Sequence, residues 1–193
     1  MDVKLVRHAE TTPTRWKNGM GVGRTIAVWP GQTGHEFDLL IATAEMSGTA
    51  PFSRYRGVDR SLFVTAGSLL LKSPYRNTEL SKESEPLVFA GEEEIIGTAL
   101  GGETMQDFNL LSKRGVIHHT LMRWEVPASG REVTASDSLL IHIQDGQAEV
   151  TCEAFEALLH VGDTVIMSKV DGRACRVKSI GHAICIVGNI SYL

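Results

Sequence analysis

The sequence lacks several features, and each absence narrows the choice of function. No apolar run approaches the ~20 residues that a bilayer-spanning helix needs. The start, MDVKLVRHAETTPTRW, shows neither an apolar stretch of signal-peptide length nor a small-residue cleavage pattern. A cytoplasmic location without a membrane partner is the expectation. A basic excess is also missing. Nineteen Lys and Arg stand against 23 Asp and Glu, giving a net charge of −4. The two signs are interspersed, which argues against a nucleic-acid partner, because a phosphate-tracking surface needs a basic excess. Cysteine is scarce: Cys152, Cys175 and Cys185 are odd in number and lack CxxC spacing. That spacing suggests neither a disulfide framework nor a zinc site, and buried thiols are expected.

Catalytic signatures are equally thin. A metal-bearing β-barrel site on three histidines and a carboxylate needs an HxH pair on one strand face and a third His on a later strand. Among His8, His35, His118, His119, His142, His160 and His182 no HxH occurs. His118 and His119 are adjacent, so on a strand they point to opposite faces. In the second half only His142, in SLLIHIQ, stands where a ligand would, without a partner two residues away. No metal and no cofactor are implied. A GxSxG elbow is absent and the cysteines have no recognisable Cys/His context, so no catalytic residue is assigned.

What is present is a core and many strands. The chain has 193 residues, 42% of them hydrophobic, and a chain of this length buries roughly 70% of its unfolded surface. Short runs rich in Val, Ile and Leu recur between Gly, Pro, Asp and Asn: TIAVW, DLLIATAEM, SLFVTAGSLLL, PLVFA, SLLIHIQ, DTVIMSK, AICIVG. Helical spacing is confined to GETMQDFNLLSKR, a short helix at best, and EAFEALLH, a helical turn or a loop. The pattern predicts an all-β chain of antiparallel sandwiches or barrels, whose closure removes strand edges and leaves a mouth for a ligand.

A faint repeat divides the chain. RSLFVTAGSLLL (60–71) resembles DSLLIHIQDGQAEV (137–150), and LVFAGEEEII resembles LLHVGDTVIM in the same order. Two β-lobes of similar topology are expected, residues 1–122 and 123–193, packed as one compact unit. The crossing between them is expected in LMRWEVPASGREVTAS.

Three clusters could carry chemistry. In RWKNGMGVGRTIAVWP, Gly19, Gly21 and Gly23 alternate beside Trp16, Asn18 and Arg24. Glycines so placed mark a bulge or a close approach to the backbone. The order of residues is neither a phosphate loop nor a dinucleotide fingerprint. A Gly-rich turn between two strands satisfies it equally well. APFSRYRGVDR holds Arg54, Arg56 and Arg60, with Arg60 directly before an apolar strand. An arginine at an apolar mouth binds carboxylate bidentately. A solvated loop or an Arg60–Asp59 pair is the alternative. MQDFNLLSKRG places Asp107, Asn109 and Arg114 in an apolar frame, as caps or as part of a polar pocket.

Taken in order, the three clusters resemble one family, the HutD/Ves proteins. The resemblance rests on WKNGMGVGRTIA, FDLLIATAEM, PFSRYRGVDRSLFVTAG, PLVFAGEEEI and MQDFNLLSKRG, and spans Trp16 to about Gly115 with weaker support beyond. The family usually has Gly where Met20 stands, Thr-Arg-Glu where Gly23-Arg24-Thr25 stands, and Trp-Arg where Leu39-Leu40 stands. Arg60, Asn18, Asp107 and Asn109 match. The resemblance implies a bicupin, two cupin-like lobes, without an obvious metal. It implies a role in histidine utilisation or environmental stress, through a small acidic metabolite such as a formylglutamate-like compound.

The expected ligand-binding set is Trp16, Asn18, Gly19, Gly21, Arg24, Arg60, Asp107 and Asn109. Arg60 is the expected carboxylate anchor and Asp107 its partner in an empty pocket. The leading expectation is a non-catalytic carboxylate-binding regulator. The alternatives are a cupin enzyme, an isomerase or a metal-dependent oxygenase, and a scaffold with a vestigial pocket. Broad sheet faces are compatible with a homodimer.

Overall fold

A computed structural model describes residues 1–16, 19–30 and 36–193. Asn18 and His35 lie outside the described residues. Seventeen strands run through the described chain: β1 (Asp2–Val6), β2 (Thr14–Arg15), β3 (Gly21–Trp29), β4 (Leu39–Met46), β5 (Thr49–Pro51), β6 (Val58–Ala66), β7 (Ser68–Lys72), β8 (Asn77–Ser81), β9 (Leu87–Ala90), β10 (Ile96–Ala99), β11 (Met105–Lys113), β12 (Ile117–Glu125), β13 (Arg131–Thr134), β14 (Ser138–Cys152), β15 (Phe155–His160), β16 (Thr164–Ser168) and β17 (Ala174–Tyr192). Among the described residues the sole helical element is a 3-10 turn, His8–Glu10, and no helix is long and apolar enough to cross a membrane.

The chain divides into two compact units, Thr12–Ile117 and Met1–Thr11 with His118–Leu193. The N-terminal eleven residues thus go with the C-terminal lobe, not the first as the sequence suggested. The reason is pairing: β1 lies antiparallel to β16, from Asp2 opposite Ser168 to Val6 opposite Thr164. Asp163 then fixes the next two residues, accepting from the Arg7 guanidinium at 2.7 Å and the His8 N–H at 2.9 Å. The stretch expected as the crossing, residues 121–136, lies inside the C-terminal unit as the end of β12, a turn and β13.

In the N-terminal lobe a six-stranded sheet, β2-β3-β4-β11-β6-β9, and a four-stranded sheet, β5-β10-β7-β8, form a sandwich. Met46, Leu62, Val64, Leu69, Leu71, Phe89 and Met105 make its core. Both segments read as helical or looped are strands: GETMQDFNLLSKR contains β11 and EAFEALLH contains β15. β11 sits between β4 and β6 and is buried on both faces, so its apolar residues do not alternate cleanly with polar ones.

The C-terminal lobe repeats the pairing scheme on fewer, longer strands. The first half of β14 pairs with β16 and the second half of β17, as β6 pairs with β9 and β11. Its second half pairs with β15 and the first half of β17, as β7 pairs with β8 and β10. The first sequence match is therefore a true structural repeat. The second is one strand out of step: LVFAGEEEII begins on β9 and LLHVGDTVIM on β15, whereas the pairing makes β16 the counterpart of β9. The C-terminal interior is apolar, with Leu139, Ile141, Ile143, Val150, Val165, Cys185 and Val187 fully buried.

Two cysteines depart from expectation. Thr151 stands opposite Arg176 across β14 and β17, which brings the neighbouring Cys152 and Cys175 face to face as a disulfide. Cys185 remains a buried free thiol.

Candidate functional site

The N-terminal sandwich holds a half-open cavity of about 430 Å³. Its walls come from the six-stranded sheet and from the segment between β5 and β6. Leu40, Ala42 and Ala44 of β4 supply small apolar side chains, and Leu111 of β11 closes one end. Pro51, Phe52, Ser53 and Tyr55 form the opposite wall. That segment is pinned by main-chain bonds, Phe52 N–H to the Ile95 carbonyl at 2.9 Å and Tyr55 N–H to the Gly91 carbonyl at 2.8 Å. The Tyr55 ring meets the Phe37 ring edge-on at 5.4 Å.

Three polar side chains converge in this space. Arg60 leaves β6 on the face that Leu62 and Val64 share and is 6% exposed. Asp107 and Asn109 leave β11 two residues apart, at 2% and 7% exposure. The Arg60 Nη2 donates to Asn109 Oδ1 at 3.1 Å, and Asn109 Nδ2 donates to Asp107 Oδ1 at 2.5 Å. A second Arg60 nitrogen, Nη1, donates to the Ser53 carbonyl at 3.1 Å. Its Nε is buried without a hydrogen-bond partner. The guanidinium lies between three rings, 4.9 Å from Phe89, 5.4 Å from Phe52 and 6.0 Å from Tyr55. Aromatic faces stabilise a cation that has left water, yet they leave its N–H edge unsatisfied.

The electrostatics follow from that burial. Desolvation pulls the Arg60 guanidinium below its ordinary range, opposed by the Asp107 charge. Desolvation likewise pushes Asp107 up to about 7, against the opposing pull of Arg60, the Ala44 N–H and the Asn109 amide.

The glycine alternation has a local cause. β2 and β3 form a hairpin in which Trp16 N–H donates to the Gly21 carbonyl at 2.9 Å. The indole then lies across the β3 backbone. A Cβ on Gly21 would stand 2.8 Å from the Trp16 ring and 2.6 Å from the Glu45 carbonyl oxygen, and one on Gly23 would stand 3.3 Å from the indole nitrogen. Glycine at these two positions lets the indole lie flat and wall the cavity.

The expected residues separate accordingly. Trp16, Arg60, Asp107 and Asn109 line one cavity, and Gly21 underlies Trp16. Gly19 lies outside it, beside a smaller cleft that Gly21 also lines. Arg24 does not line the cavity either; its neighbour Gly23 does, and successive strand residues face opposite ways. The Arg60–Asp59 pair does not form. Asp59 instead pairs with Arg114 at 2.8 Å, and Arg114 also holds Glu92 at 2.9 Å, so Arg114 is no part of the pocket. Phe52, Ser53, Tyr55 and Phe89 contact Arg60 and stand outside the expected set, Phe89 being the one farthest along the chain from the Arg60 motif. The signal for Phe89 was PLVFAG, where β9 places it opposite Arg60.

Among the described residues no group of three or more His, Cys, Asp or Glu is placed to hold a metal ion. His142 is buried on β14, its Nδ1 2.8 Å from the Thr164 hydroxyl oxygen.

Comparison with known proteins bears on the family and the fold. The family profile HutD matches residues 8–185. Protein Ves of Escherichia fergusonii is 26% identical over 99 residues, which is 51% of this chain and 51% of that protein. The match thus spans about half the length of that curated relative. The structure of HutD from Pseudomonas fluorescens SBW25 superposes with a TM-score of 0.86 at 18% identity, covering all of both chains. A cupin 2 conserved barrel domain protein from Leptotrichia buccalis superposes with a TM-score of 0.63 at 10% identity, over 99% of this chain and 98% of that one. These structural likenesses establish a cupin-like fold, and on the profile match the chain belongs to the HutD family.

Proposed function

We propose that this protein binds a small carboxylate in the N-terminal cavity and does so in a regulatory rather than a chemical role. The observation that carries the reading is the buried Arg60 guanidinium. The residue lines a cavity of about 430 Å³, and its Nε–H is buried without a hydrogen-bond partner. A carboxylate presents two acceptor oxygens in the geometry that a guanidinium edge matches, and the match is stronger away from water. Away from Arg60, Asp107 and Asn109 the walls are mostly apolar or aromatic, with Thr43 and Ser53 among them, which suits a compact organic acid. Binding without turnover fits the state of Asp107, the acidic group beside Arg60. The Asn109 amide and the Ala44 N–H both hold its carboxyl. A role in sensing a metabolite of histidine utilisation or stress is part of this proposal.

The test is thermal unfolding of the wild type and of Arg60→Gln and Arg60→Lys with formate, acetate, benzoate and glutarate. A carboxylate at about 100 times its dissociation constant adds about 2.7 kcal/mol to the wild type. Arg60→Gln abolishes the gain while unfolding as cooperatively as the parent, and Arg60→Lys retains part of it. Absence of stabilisation by every acid overturns the proposal, as does undiminished stabilisation of Arg60→Gln.

A further inference from the structure

The same cavity contains a second ionisable group whose place beside Arg60 has a consequence for binding. Resting on the carboxylate reading above, we propose that the ligand's carboxylate enters together with one proton, which settles on Asp107.

The argument starts from the chain Asp107–Asn109–Arg60. The Asn109 side chain accepts from Arg60 and donates to Asp107, so carboxyl and guanidinium are joined through one amide. In the empty cavity an ionised Asp107 is the counter-charge of Arg60. Among the described residues no other acidic group lines the cavity. The described lining residues include three ionisable side chains, Tyr55, Arg60 and Asp107. Around Asp107, β4 contributes Ala44, whose N–H donates to the carboxyl, and β3 contributes Gly23. β6 contributes Val64 and Arg60, and the segment before β6 contributes Tyr55, which acts on Arg60. Among the described residues Arg60 is thus the one charge that acts on Asp107.

A ligand carboxylate on the Arg60 guanidinium puts two anions around one buried cation. Two carboxylates sharing a desolvated site cannot both stay ionised at neutral pH, so one takes up a proton. The ligand keeps its charge because it holds the guanidinium directly, while Asp107 reaches Arg60 only through Asn109. Asp107 therefore protonates. The proton comes from solvent, an O–H bond forms at Asp107, and no other covalent bond changes. Asp107 already stands at about 7 in the empty site, so the proton is easily gained there. Binding becomes acid-favoured, and Asp107 becomes a displaceable internal substitute for the ligand.

Isothermal titration of the full-length protein with benzoate, in buffers of different ionisation enthalpy, tests the coupling. Below about pH 7 the affinity is flat, and above it falls about tenfold per pH unit. At about pH 8 nearly one proton is taken up per benzoate bound. Asp107→Asn keeps the oxygen that accepts from Asn109 and removes the titration, so its affinity no longer falls with pH across this range. The wild-type slope and proton count need no variant, so a poorly folded Asp107→Asn leaves the test intact. Arg60-dependent binding with a flat pH profile and no proton uptake overturns the coupling and leaves the carboxylate reading standing. Absence of binding by benzoate and the other acids at any pH overturns both.

Discussion

The two lobes share a pairing scheme and differ in what they enclose. Matching RSL at 60–62 to DSL at 137–139 makes Asp137 the counterpart of Arg60. The registers of Leu62 opposite Asn109 and Leu139 opposite Asn189 make the two asparagines counterparts. Two residues before each stands Asp107 in one lobe and Val187 in the other. The C-terminal lobe therefore keeps the asparagine and lacks both the cation and the internal carboxyl. Asp137 accepts a hydrogen bond from the Tyr192 N–H, and Val187 packs in an apolar core. A buried, aromatic-flanked arginine costs stability unless something compensates it. Its presence in one of two otherwise parallel scaffolds is the reason the proposed carboxylate binding is assigned to that lobe.

The comparison breaks most visibly in pH dependence. Asp107 is raised from 3.8 when unfolded to about 7 when folded. The native state thus holds a proton that the unfolded chain has lost, and stability present below pH 3.8 drains away as pH rises to about 7. The full swing is on the order of 4 kcal/mol. Denaturant unfolding across this range, followed by hydrogen exchange in the N-terminal lobe, shows the fall, and Asp107→Asn flattens it. An unchanged slope in the variant places the cause elsewhere.

The C-terminal lobe has its own constraint in the disulfide. Cys152 and Cys175 are 23 residues apart, and closing such a loop restricts the unfolded chain by about 3 kcal/mol. Reduction lowers exchange protection in β14 and β17 by about that amount and spares β6 and β11. Equal loss in both lobes contradicts this assignment.

The smallest of the three effects has the opposite pH sign. Burial, with the His8 charge, pushes His142 down from 6.5 to about 3. Unfolding then takes up a proton in acid, so stability present above pH 6.5 is lost as pH falls. By about pH 5 the loss is about 2 kcal/mol. Replacing His142 with Asn, which keeps a partner for Thr164, removes that acid limb and leaves the alkaline one attributed to Asp107.

Much of the site was legible because its residues sit in short local motifs. Arg60 stands at the start of an apolar strand, and Asp107 and Asn109 share one face of another, so period-2 reasoning brings them together. The flat indole of Trp16 explains Gly21 and Gly23, which the sequence marked as unusual without saying what approached them. Arg24 was misplaced because alternation, applied to β3, sends it away from the face of Gly23. β11 was misread because burial on both faces erases the polar–apolar rhythm that announces a strand. Pairing over long separations left no local trace. The β14–β17 register that joins the cysteines, and the docking of β1 on β16, depend on contacts that no spacing motif records.

The most direct test of the central claim is a crystal structure of the protein with bound benzoate. The account predicts the carboxylate against the Arg60 guanidinium, with the ring against Trp16, Phe52 or Tyr55 and the C-terminal interior unoccupied. Benzoate held elsewhere while the N-terminal cavity stays empty, or bound equally well by Arg60→Gln, contradicts it.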